Sequence, residues 1–430
     1  AAERVTDHRD RTFFEGIKQL RPAHHLTWQD GEIDVREYWR PDRSIVEIDP
    51  TPVDPAEIRE LLTDAVRIRL RADTPVGLLL SGGIDSSAVS CIAASQLGTG
   101  ISSFSTLDSV QPVTEAQGID LVSKAFPSIR VYRDFPDRTG FVADLEDCLW
   151  HQEEPFADGS MVAHYRLIRM ARQTGTKVLL AGQGADETFA GYPGFLAVHL
   201  AELASTQGLS AAMRFLSDLR RTTDHMFLPA AIAYLLPDAI RRGLRQLRDE
   251  SVMDWLVPEA RATSPKVSHG LAYRKTDAMR SALVDCIQAR TLPGFLHYDD
   301  RNSMAHGVET RQPFLDYRLV ERVINVPGDV LLNGGRTKAL LREAMTGIVP
   351  EAILKRLPKQ GYPAPIERWL READSETWAG WFDAVKRCPL ILQSKWLSHQ
   401  RSFMGGDDRR FPKVWRGLAL SLWHRKFIAP

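Results

Sequence analysis

Short apolar runs that each end in a turn alternate with helical patterns through the first half of the chain. Residues 76–80 form a continuous apolar run, and after the next turn apolar residues return at helical spacing. Further strand-like runs lie at residues 101–107, 129–132 and 177–181. Such alternation predicts a doubly wound, mostly parallel sheet with helices on both faces and ligands beyond the carboxyl ends of its strands.

The pattern changes on either side of this region. Residues 26–35 predict a hairpin that turns at Asp30-Gly31 and is too small to be a domain by itself. A helical pattern begins at Asp54, before the first buried strand. After about residue 195 strand signals become rare and amphipathic helical patterns dominate. These helical patterns lie at residues 211–221, 273–290, 318–324 and 337–345.

Composition and charge exclude several classes of function. A chain of 430 residues is long enough for two or three domains. Its 55 basic and 55 acidic residues balance, so no global field favours nucleic acid or an anionic membrane surface. The sequence lacks a transmembrane run and the apolar core of a signal peptide, so we expect a soluble, cytoplasmic protein. Its four cysteines are widely spaced, which argues against a zinc site or a disulfide framework.

The turn after the first buried strand, residues 81–87, predicts a phosphate site. It opens a helix, where unpaired backbone N–H groups and the positive end of the helix dipole attract anions. Its glycines let the backbone approach a ligand, and its serine hydroxyls can donate hydrogen bonds. Asp85 would need a cation between itself and polyphosphate, and Mg²⁺ is the natural candidate. The candidate phosphate-binding residues are Ser81, Gly82, Gly83, Asp85, Ser86 and Ser87.

A second strand, residues 177–181, enters a similar turn that contains Gly182, Gln183 and Gly184 and ends at Asp186. This turn should open on the same edge of the sheet. If the two strands are near neighbours, Asp186 and Asp85 are placed to share Mg²⁺, which would stabilise the charge that grows on departing pyrophosphate. The alternative is that Asp186 is simply an acidic residue at a helix N-terminus, which the helix dipole favours.

The loop at residues 81–86 resembles the PP-loop, Ser-Gly-Gly-x-Asp-Ser, of the ATP pyrophosphatases, and it matches neither of the commoner nucleotide loops. The resemblance implies an adenine nucleotide alpha hydrolase-like fold that grips the two terminal phosphates of ATP, so that reaction at the α-phosphate gives AMP and pyrophosphate. Motifs elsewhere extend the resemblance, over nearly all of the chain, to the synthetase domain of glutamine-dependent asparagine synthetases. They lie at residues 154–158, 182–192, 301–304, 309–316, 337–338 and 358–362.

This resemblance implies roles for particular residues. The loop residues would bind pyrophosphate, and Asp85 with Asp186 would hold Mg²⁺. Lys359 would contact the α-phosphate and stabilise the pentacovalent transition state, as suits a compact cation. The positions expected near the nucleotide are Leu79, Gly182 and Gly184.

The resemblance also predicts how the chain is divided. Residues 12–39 resemble the end of the family's N-terminal glutaminase domain, whose remainder, with its cysteine nucleophile, is missing. The chain begins at Ala rather than Met, which we interpret as a trimmed protein or a fragment. The expected parts are a glutaminase remnant plus linker at residues 1–43, a PP-loop ATP-binding α/β region at 44–195 and a helical part at 196–430.

Gln183 departs from the family pattern. Asparagine synthetases usually carry Glu or Asp at this position, and the related β-lactam synthetases carry Tyr. Because an amide does not ionise, Gln183 can orient a substrate but cannot act as the general base for the attacking amine. Water, a phosphate oxygen or another carboxylate must then take that proton, or the natural substrate is not aspartate.

The function expected from the resemblance is ATP-dependent amide formation. A carboxylate, in the leading assignment aspartate, is activated as an acyl-adenylate, and ammonia, drawn from glutamine in the longer enzyme, then gives asparagine and AMP. The cofactors expected are ATP and Mg²⁺. Nucleic acid and membranes are not expected partners, whereas association into a homodimer is left as an open alternative. One alternative is a specialised amide ligase that acts on a secondary metabolite, a sugar acid or a peptide, as in lasso peptide cyclases. Another is a nucleotide-binding regulatory protein without turnover.

Two further charged groups favour structural roles. Asp299, Asp300 and Arg301 resemble catalytic residues, yet a helix beneath an active site commonly carries such a network to fix its position. Arg311 lies between Glu309 and Asp316, where it pairs either with a substrate carboxylate or with a carboxylate of the protein.

Overall fold

A five-stranded parallel sheet in the order β5-β4-β3-β6-β7 organises the fold. The computed structural model describes residues 10–40, 52–98, 100–107, 113–157, 159–222, 253–263, 277–356 and 366–429. A separate antiparallel hairpin, β1-β2, precedes the sheet. The strands are β1 (His24–Gln29), β2 (Glu32–Glu37), β3 (Val76–Leu79), β4 (Ile101–Thr106), β5 (Ile129–Asp134), β6 (Val178–Leu180) and β7 (Glu309–Arg311).

Strand β3 lies inside the sheet, between β4 and β6. Gly77 is paired with Ser102 on one side and with Leu179 on the other. After β3 the chain builds outward through β4 and β5, and it then returns to the opposite side of β3 as β6. This reversal makes the crevice between the carboxyl ends of β3 and β6 the point where doubly wound sheets bind ligands.

Successive residues of a strand point to opposite faces of the sheet, so apolar strands present two apolar faces. Helices cover both of these faces. Leu78 and Leu180 pack into the larger core, which includes Ile92 of helix α2 (Ile84–Leu97). Leu79 and Leu179 point to the other face, where they pack with Leu167 and Ile168 of helix α5 (Ser160–Gln173). The predicted doubly wound parallel fold is therefore confirmed.

Strand β7 was not predicted. It has three residues and pairs with β6 through Leu179 and Thr310. Its sequence, Glu-Thr-Arg, carries no apolar run, so periodicity does not mark it as a strand. The sheet thus takes its fifth strand from a distant part of the chain.

Most of the remaining chain is helical, as predicted for the region after residue 195. The helices are α1 (Pro55–Arg69), α2 (Ile84–Leu97), α3 (Val113–Ala125), α4 (Arg138–Gln152), α5 (Ser160–Gln173), α6 (Ala185–Thr188), α7 (Pro193–Thr206), α8 (Leu209–Thr222), α9 (Pro258–Thr263), α10 (Ala278–Asp285), α11 (Leu292–Ala305), α12 (Tyr317–Val323), α13 (Gly328–Leu331), α14 (Ala339–Ala344), α15 (Glu351–Leu354), α16 (Ile366–Glu372), α17 (Ser375–Arg387), α18 (Gln393–Met404) and α19 (Phe411–Phe427). A π-helix (Cys286–Arg290) joins α10 to α11, and 3₁₀ turns lie at Pro313–Leu315, Asn333–Gly335 and Asp408–Arg410.

The last four helices have a core of their own. They pack with α4 around large aromatic side chains, among which Trp396 and Trp415 are almost fully buried. Burial of each such side chain removes a large apolar area from water and stabilises the helical part. Among the helices of the described ranges, none is both long and apolar enough to cross a bilayer.

The predicted hairpin forms, with its turn at Asp30-Gly31 in positive-φ conformations. Leu26 pairs with Val35 and Trp28 pairs with Ile33, so these four apolar side chains lie on one face. Between 48% and 70% of each of these residues is exposed. The hairpin therefore presents an apolar face to its surroundings.

Candidate active site

The predicted phosphate loop joins the end of β3 to the start of α2. Gly83 is the N-cap of this 14-residue helix and has no side chain that could satisfy the helix's first N–H groups. The Ser86 hydroxyl holds the turn closed, since it lies 3.1 Å from both the amide nitrogen and the hydroxyl of Ser81. The loop thus presents a helix N-terminus and two hydroxyls at the carboxyl edge of the sheet.

The second turn lies against the first. A Cβ on Gly182 would be 2.8 Å from the backbone nitrogen of Ser86, so the two turns touch where only glycine fits. Gly184 has a φ of +90°, and a Cβ there would be 2.3 Å from the Leu315 side chain. Gly184 therefore shapes the turn and packs on Leu315, whereas its predicted place near the nucleotide stays a prediction.

Asp85 and Asp186 meet at this edge, and Lys338 bridges them. The Lys338 Nζ lies 2.7 Å from both carboxylate oxygens of Asp85 and 2.5 Å from Asp186 Oδ1. Burial opposes the positive charge on Lys338, but the attraction of the Asp186 and Asp85 carboxylates outweighs it and raises the pKa of the ammonium group. The carboxylates that were expected to share a cation thus share the ammonium of Lys338.

No role for Lys338 was predicted from the sequence. Its segment belongs to the motifs that carry the family resemblance, but the residue lies 152 positions beyond Asp186 and outside any strand. Its backbone φ of +56° is left-handed, a conformation that non-glycine residues seldom adopt. The local signal was the preceding Gly334-Gly335 pair, which predicts a turn but no contact with a carboxylate.

Three arginines extend the positive charge beside the loop. Arg356 Nη1 lies 3.3 Å from the Gly82 carbonyl oxygen. Arg336 and Arg342 both donate to the Leu354 carbonyl, at 2.9 and 2.7 Å, which fastens the segment of Lys338 to helix α15. Burial and the nearby Arg336 lower the pKa of Arg342 to about 10. This arrangement suits a ligand that carries several negative charges.

The site residues predicted from the sequence meet different outcomes. Lys359 lies outside the described residues. The Ser87 side chain is fully buried and its hydroxyl has no hydrogen-bond partner among the described residues, so its role in phosphate binding stays a prediction. Gln183 is half-buried in the turn after β6. The structure brings together the others, namely Leu79, Ser81, Gly82, Gly83, Asp85, Ser86, Gly182, Gly184 and Asp186.

The residues present fit a Mg²⁺ ion. Mg²⁺ in nucleotide enzymes is usually held by one or two carboxylates together with substrate phosphates and waters. Asp85 and Asp186 supply two carboxylates, and the part of the chain that the structure describes contains no group of three or more candidate metal ligands. Such a pair is the donor set for an ion that arrives with polyphosphate.

Glu187 is a buried acidic residue in helix α6, next to Asp186. It is 2% exposed, and its carboxylate accepts a 2.7 Å hydrogen bond from the Tyr192 hydroxyl. Burial raises the pKa of Glu187 to about 6. The hydrogen bond from Tyr192 ties helix α6 to the start of helix α7.

The two charged groups outside the turns are internal networks. Asp299 of α11 lies 3.0 Å from His164 Nε2 and accepts hydrogen bonds from Thr310 and Gln312, which ties α11 to α5 and β7. Arg311 donates to Glu309 at 2.8 Å, and Asp316 pairs with Arg69 at 3.0 Å and with Arg318 at 2.9 Å. These contacts favour the structural interpretation of both groups.

Comparison with known proteins agrees with this geometry. A sequence model of the Asparagine synthase family matches residues 57–425. The chain belongs to the asparagine synthase family. The resemblance and the expected asparagine-synthetase-like ligase class are therefore confirmed.

Curated relatives extend the match. Asparagine synthetase (glutamine-hydrolyzing) 1 of Bacillus subtilis is 27% identical over 95% of this chain and 65% of its own length. Asparagine synthetase (glutamine-hydrolyzing) 3 of the same organism is 29% identical over 84% of this chain and 58% of its own length. Amidase chyE of Penicillium rubens is 28% identical over 84% and 60%. The chain thus spans less than two thirds of the length of these relatives.

Proposed function

We propose that this chain carries the synthetase reaction of an ATP-dependent amide ligase, with aspartate as the acceptor. The substrate carboxylate attacks the α-phosphate of ATP, pyrophosphate leaves, and ammonia then displaces AMP from the acyl-adenylate to give asparagine. One observation carries the proposal. Asp85 and Asp186, which follow the neighbouring strands β3 and β6, converge on a single cation beside a helix N-terminus of the PP-loop type.

Each element of the crevice has a task in this reaction. The first N–H groups of α2 and the Ser81 hydroxyl hold the terminal phosphates. Asp85 and Asp186 would hold Mg²⁺, which would supply positive charge against the phosphates. Arg356, already beside Gly82, adds a fixed positive charge at the loop.

Lys359 is the proposed partner of the α-phosphate. It follows Arg356 by three residues in the sequence, and the Arg356 guanidinium lies beside the loop. We expect Lys359→Met to slow pyrophosphate release while nucleotide binding is largely retained, because its charge acts in the transition state.

The proposal is tested by pyrophosphate release from Mg-ATP across a panel of carboxylates, with ammonium supplied as the nitrogen source. We expect aspartate to trigger release, with AMP and asparagine formed in equal amounts. Asp186→Asn should abolish release, whereas Asp383→Asn, an exposed position on α17, should leave release unchanged. Release that is indifferent to Asp186→Asn would contradict the proposed site.

A second candidate is an amide ligase for a different acid. Two observations favour it, namely the non-ionisable Gln183 at the carboxyl end of β6 and the relative of similar identity that is named an amidase. In this case another carboxylate of the panel triggers release while aspartate stays inert. The activation step and its residues are the same for both candidates.

We also propose that residues 12–39 complete a glutaminase domain of the whole protein. The support is the exposed apolar face of Leu26, Trp28, Ile33 and Val35, since a contiguous apolar patch of this kind generally contacts another protein surface. The segment is held to the synthetase part by Trp39, whose indole donates to Glu321 at 2.8 Å. Trp28→Asp in the longer protein should reduce glutamine-dependent activity while ammonium-dependent activity persists, and equal loss of both would contradict the assignment.

A further inference from the structure

We propose that Lys338 is a resident counter-ion for the carboxylates of Asp85 and Asp186. Its ammonium group excludes a free divalent cation from these carboxylates and moves aside when the cation arrives with polyphosphate. The inference rests on the proposed function for the identity of the incoming ligand. It concerns a property of the protein without nucleotide, however, and can be measured without any turnover.

The position of the ammonium group is the first argument. Its nitrogen lies within 2.7 Å of three carboxylate oxygens, two of Asp85 and one of Asp186. Mg²⁺ binds such oxygens at about 2.0–2.1 Å, so the ion and the ammonium would compete for the same acceptors. The Mg²⁺ ion and the ammonium group would also repel each other, since only a few ångströms would separate them.

The charge balance is the second argument. The two carboxylates and Lys338 sum to one negative charge. A divalent cation alone would convert this to one net positive charge in a place where Lys338 is only 6% exposed. Polyphosphate that enters with the divalent cation supplies negative charge that both this cation and the Lys338 ammonium then face. The site is thus balanced for metal and phosphate together and unfavourable for metal alone.

The construction around Lys338 is the third argument. A Cβ on Gly191 would lie 2.2 Å from Lys338 Cε and 1.9 Å from Asp186 Oδ1, so glycine leaves the gap through which the lysine side chain passes. The backbone of Lys338 is held in a left-handed conformation that costs energy, and such strain persists where the surrounding structure imposes it. Arg342 reinforces the turn by donating to the Thr337 carbonyl at 3.0 Å. Several independent features therefore aim one ammonium at two carboxylates.

The experiment measures Mn²⁺ binding without nucleotide, by electron paramagnetic resonance of the free ion. Lys338→Met should bind Mn²⁺ roughly tenfold or more tightly than the unaltered protein, because a positive charge is removed from beside the ion. Lys355→Met, the same substitution at an exposed lysine on the nearby helix end, should change nothing. Adding Asp186→Asn to Lys338→Met should abolish the gain.

A second readout follows the anion. At saturating Mg²⁺, Lys338→Met should bind pyrophosphate roughly tenfold more weakly in calorimetry, since the displaced ammonium then faces the phosphates. Lys338→Arg keeps the charge and should leave free Mn²⁺ binding weak. If Lys338→Met fails to fold, Lys338→Gln, whose amide still donates between the carboxylates, replaces it with the same expectation.

Two results overturn the inference. Equal Mn²⁺ affinity in Lys338→Met and the unaltered protein shows that the ammonium does not compete with the metal. Unchanged pyrophosphate affinity shows that it does not turn to the phosphates. Failure of the proposed function is distinguishable, because it removes carboxylate-triggered pyrophosphate release while the Mn²⁺ difference between the variants remains.

Discussion

Gly82 and Gly118 pack backbone against backbone. A Cβ on Gly118 would lie 2.2 Å from the Gly82 carbonyl oxygen, and a Cβ on Gly82 would lie 2.5 Å from the Glu115 carbonyl oxygen. The phosphate loop therefore rests directly on helix α3, and its left-handed Gly82, at a φ of +75°, adopts the conformation that this contact allows. The geometry of the loop depends on a helix more than thirty residues away.

Gly118→Ala tests this dependence. The added methyl group should push the loop away from α3, which we expect to weaken pyrophosphate binding by roughly tenfold and to cost about 1–3 kcal/mol of stability. Calorimetric titration with pyrophosphate and urea unfolding measure the two effects.

The matched control for this variant is Gly380→Ala. Gly380 also lies inside a helix, α17, but a Cβ there meets no atom within 4 Å. Alanine at such a position should stabilise the helix by roughly 0.5–1 kcal/mol and leave pyrophosphate binding intact. Equal pyrophosphate affinity and equal stability in the two variants would show that the contact with Gly82 is unimportant.

Asp299→Ala should destabilise the protein by about 2–4 kcal/mol. The substitution removes the acceptor that Thr310 and Gln312 share and the carboxylate that lies 3.0 Å from His164, so buried polar groups lose their partner. Urea unfolding measures the loss. Asp300→Ala, at the adjacent exposed position, should change stability by less than about 0.5 kcal/mol. A similar loss at both positions would refute a structural role specific to Asp299.

The free energy of unfolding should decrease as the pH is lowered below neutrality, partly because of His306. Burial and, to a smaller extent, the positive charge of Arg169 lower the pKa of His306 to about 4. In the unfolded chain histidine titrates near 6.5, so between about pH 6.5 and 4 the unfolded state binds a proton that the folded state does not. This contribution is fully present above the unfolded pKa and is lost as the pH falls.

The variant His306→Phe should therefore lose less stability than the unaltered protein between pH 7 and pH 4.5. We expect the difference to be on the order of 1–2 kcal/mol. Urea unfolding at several pH values measures it. The exposed residue His25 provides the control, since His25→Phe should leave the pH dependence unchanged. A parallel pH profile for His306→Phe would show that this histidine titrates normally.

Gln183→Glu should accelerate amide formation if aspartate is the acceptor. The new carboxylate would supply a general base where the turn after β6 now has an amide, and such groups commonly contribute about 10²-fold or more. Single-turnover measurement separates the two half-reactions. We expect faster capture of the acyl-adenylate by ammonia, with pyrophosphate release unchanged. Gln173→Glu on the exposed end of α5 is the control, and no acceleration in Gln183→Glu would favour a different acceptor acid.

Local patterns were sufficient for much of the fold. The runs at residues 76–80 and 177–181 predicted β3 and β6 because buried strands of a parallel sheet are apolar on both faces. The turns that follow them predicted where Asp85 and Asp186 would emerge. Strand β7 escaped prediction, since Glu309, Thr310 and Arg311 have no apolar periodicity and become a strand only by pairing with β6.

The sequence by itself determined the phosphate loop, the two acidic turns and the parallel sheet, because strand, glycine turn and helix are specified by neighbouring residues. Only the tertiary structure decided what stands between the two carboxylates. Lys338 comes from a distant turn, and its place beside Asp85 and Asp186 depends on long-range packing, on the gap at Gly191 and on a strained backbone. The tertiary structure likewise buries the Ser87 side chain, since the sheet on which α2 packs sets which face of that helix is buried.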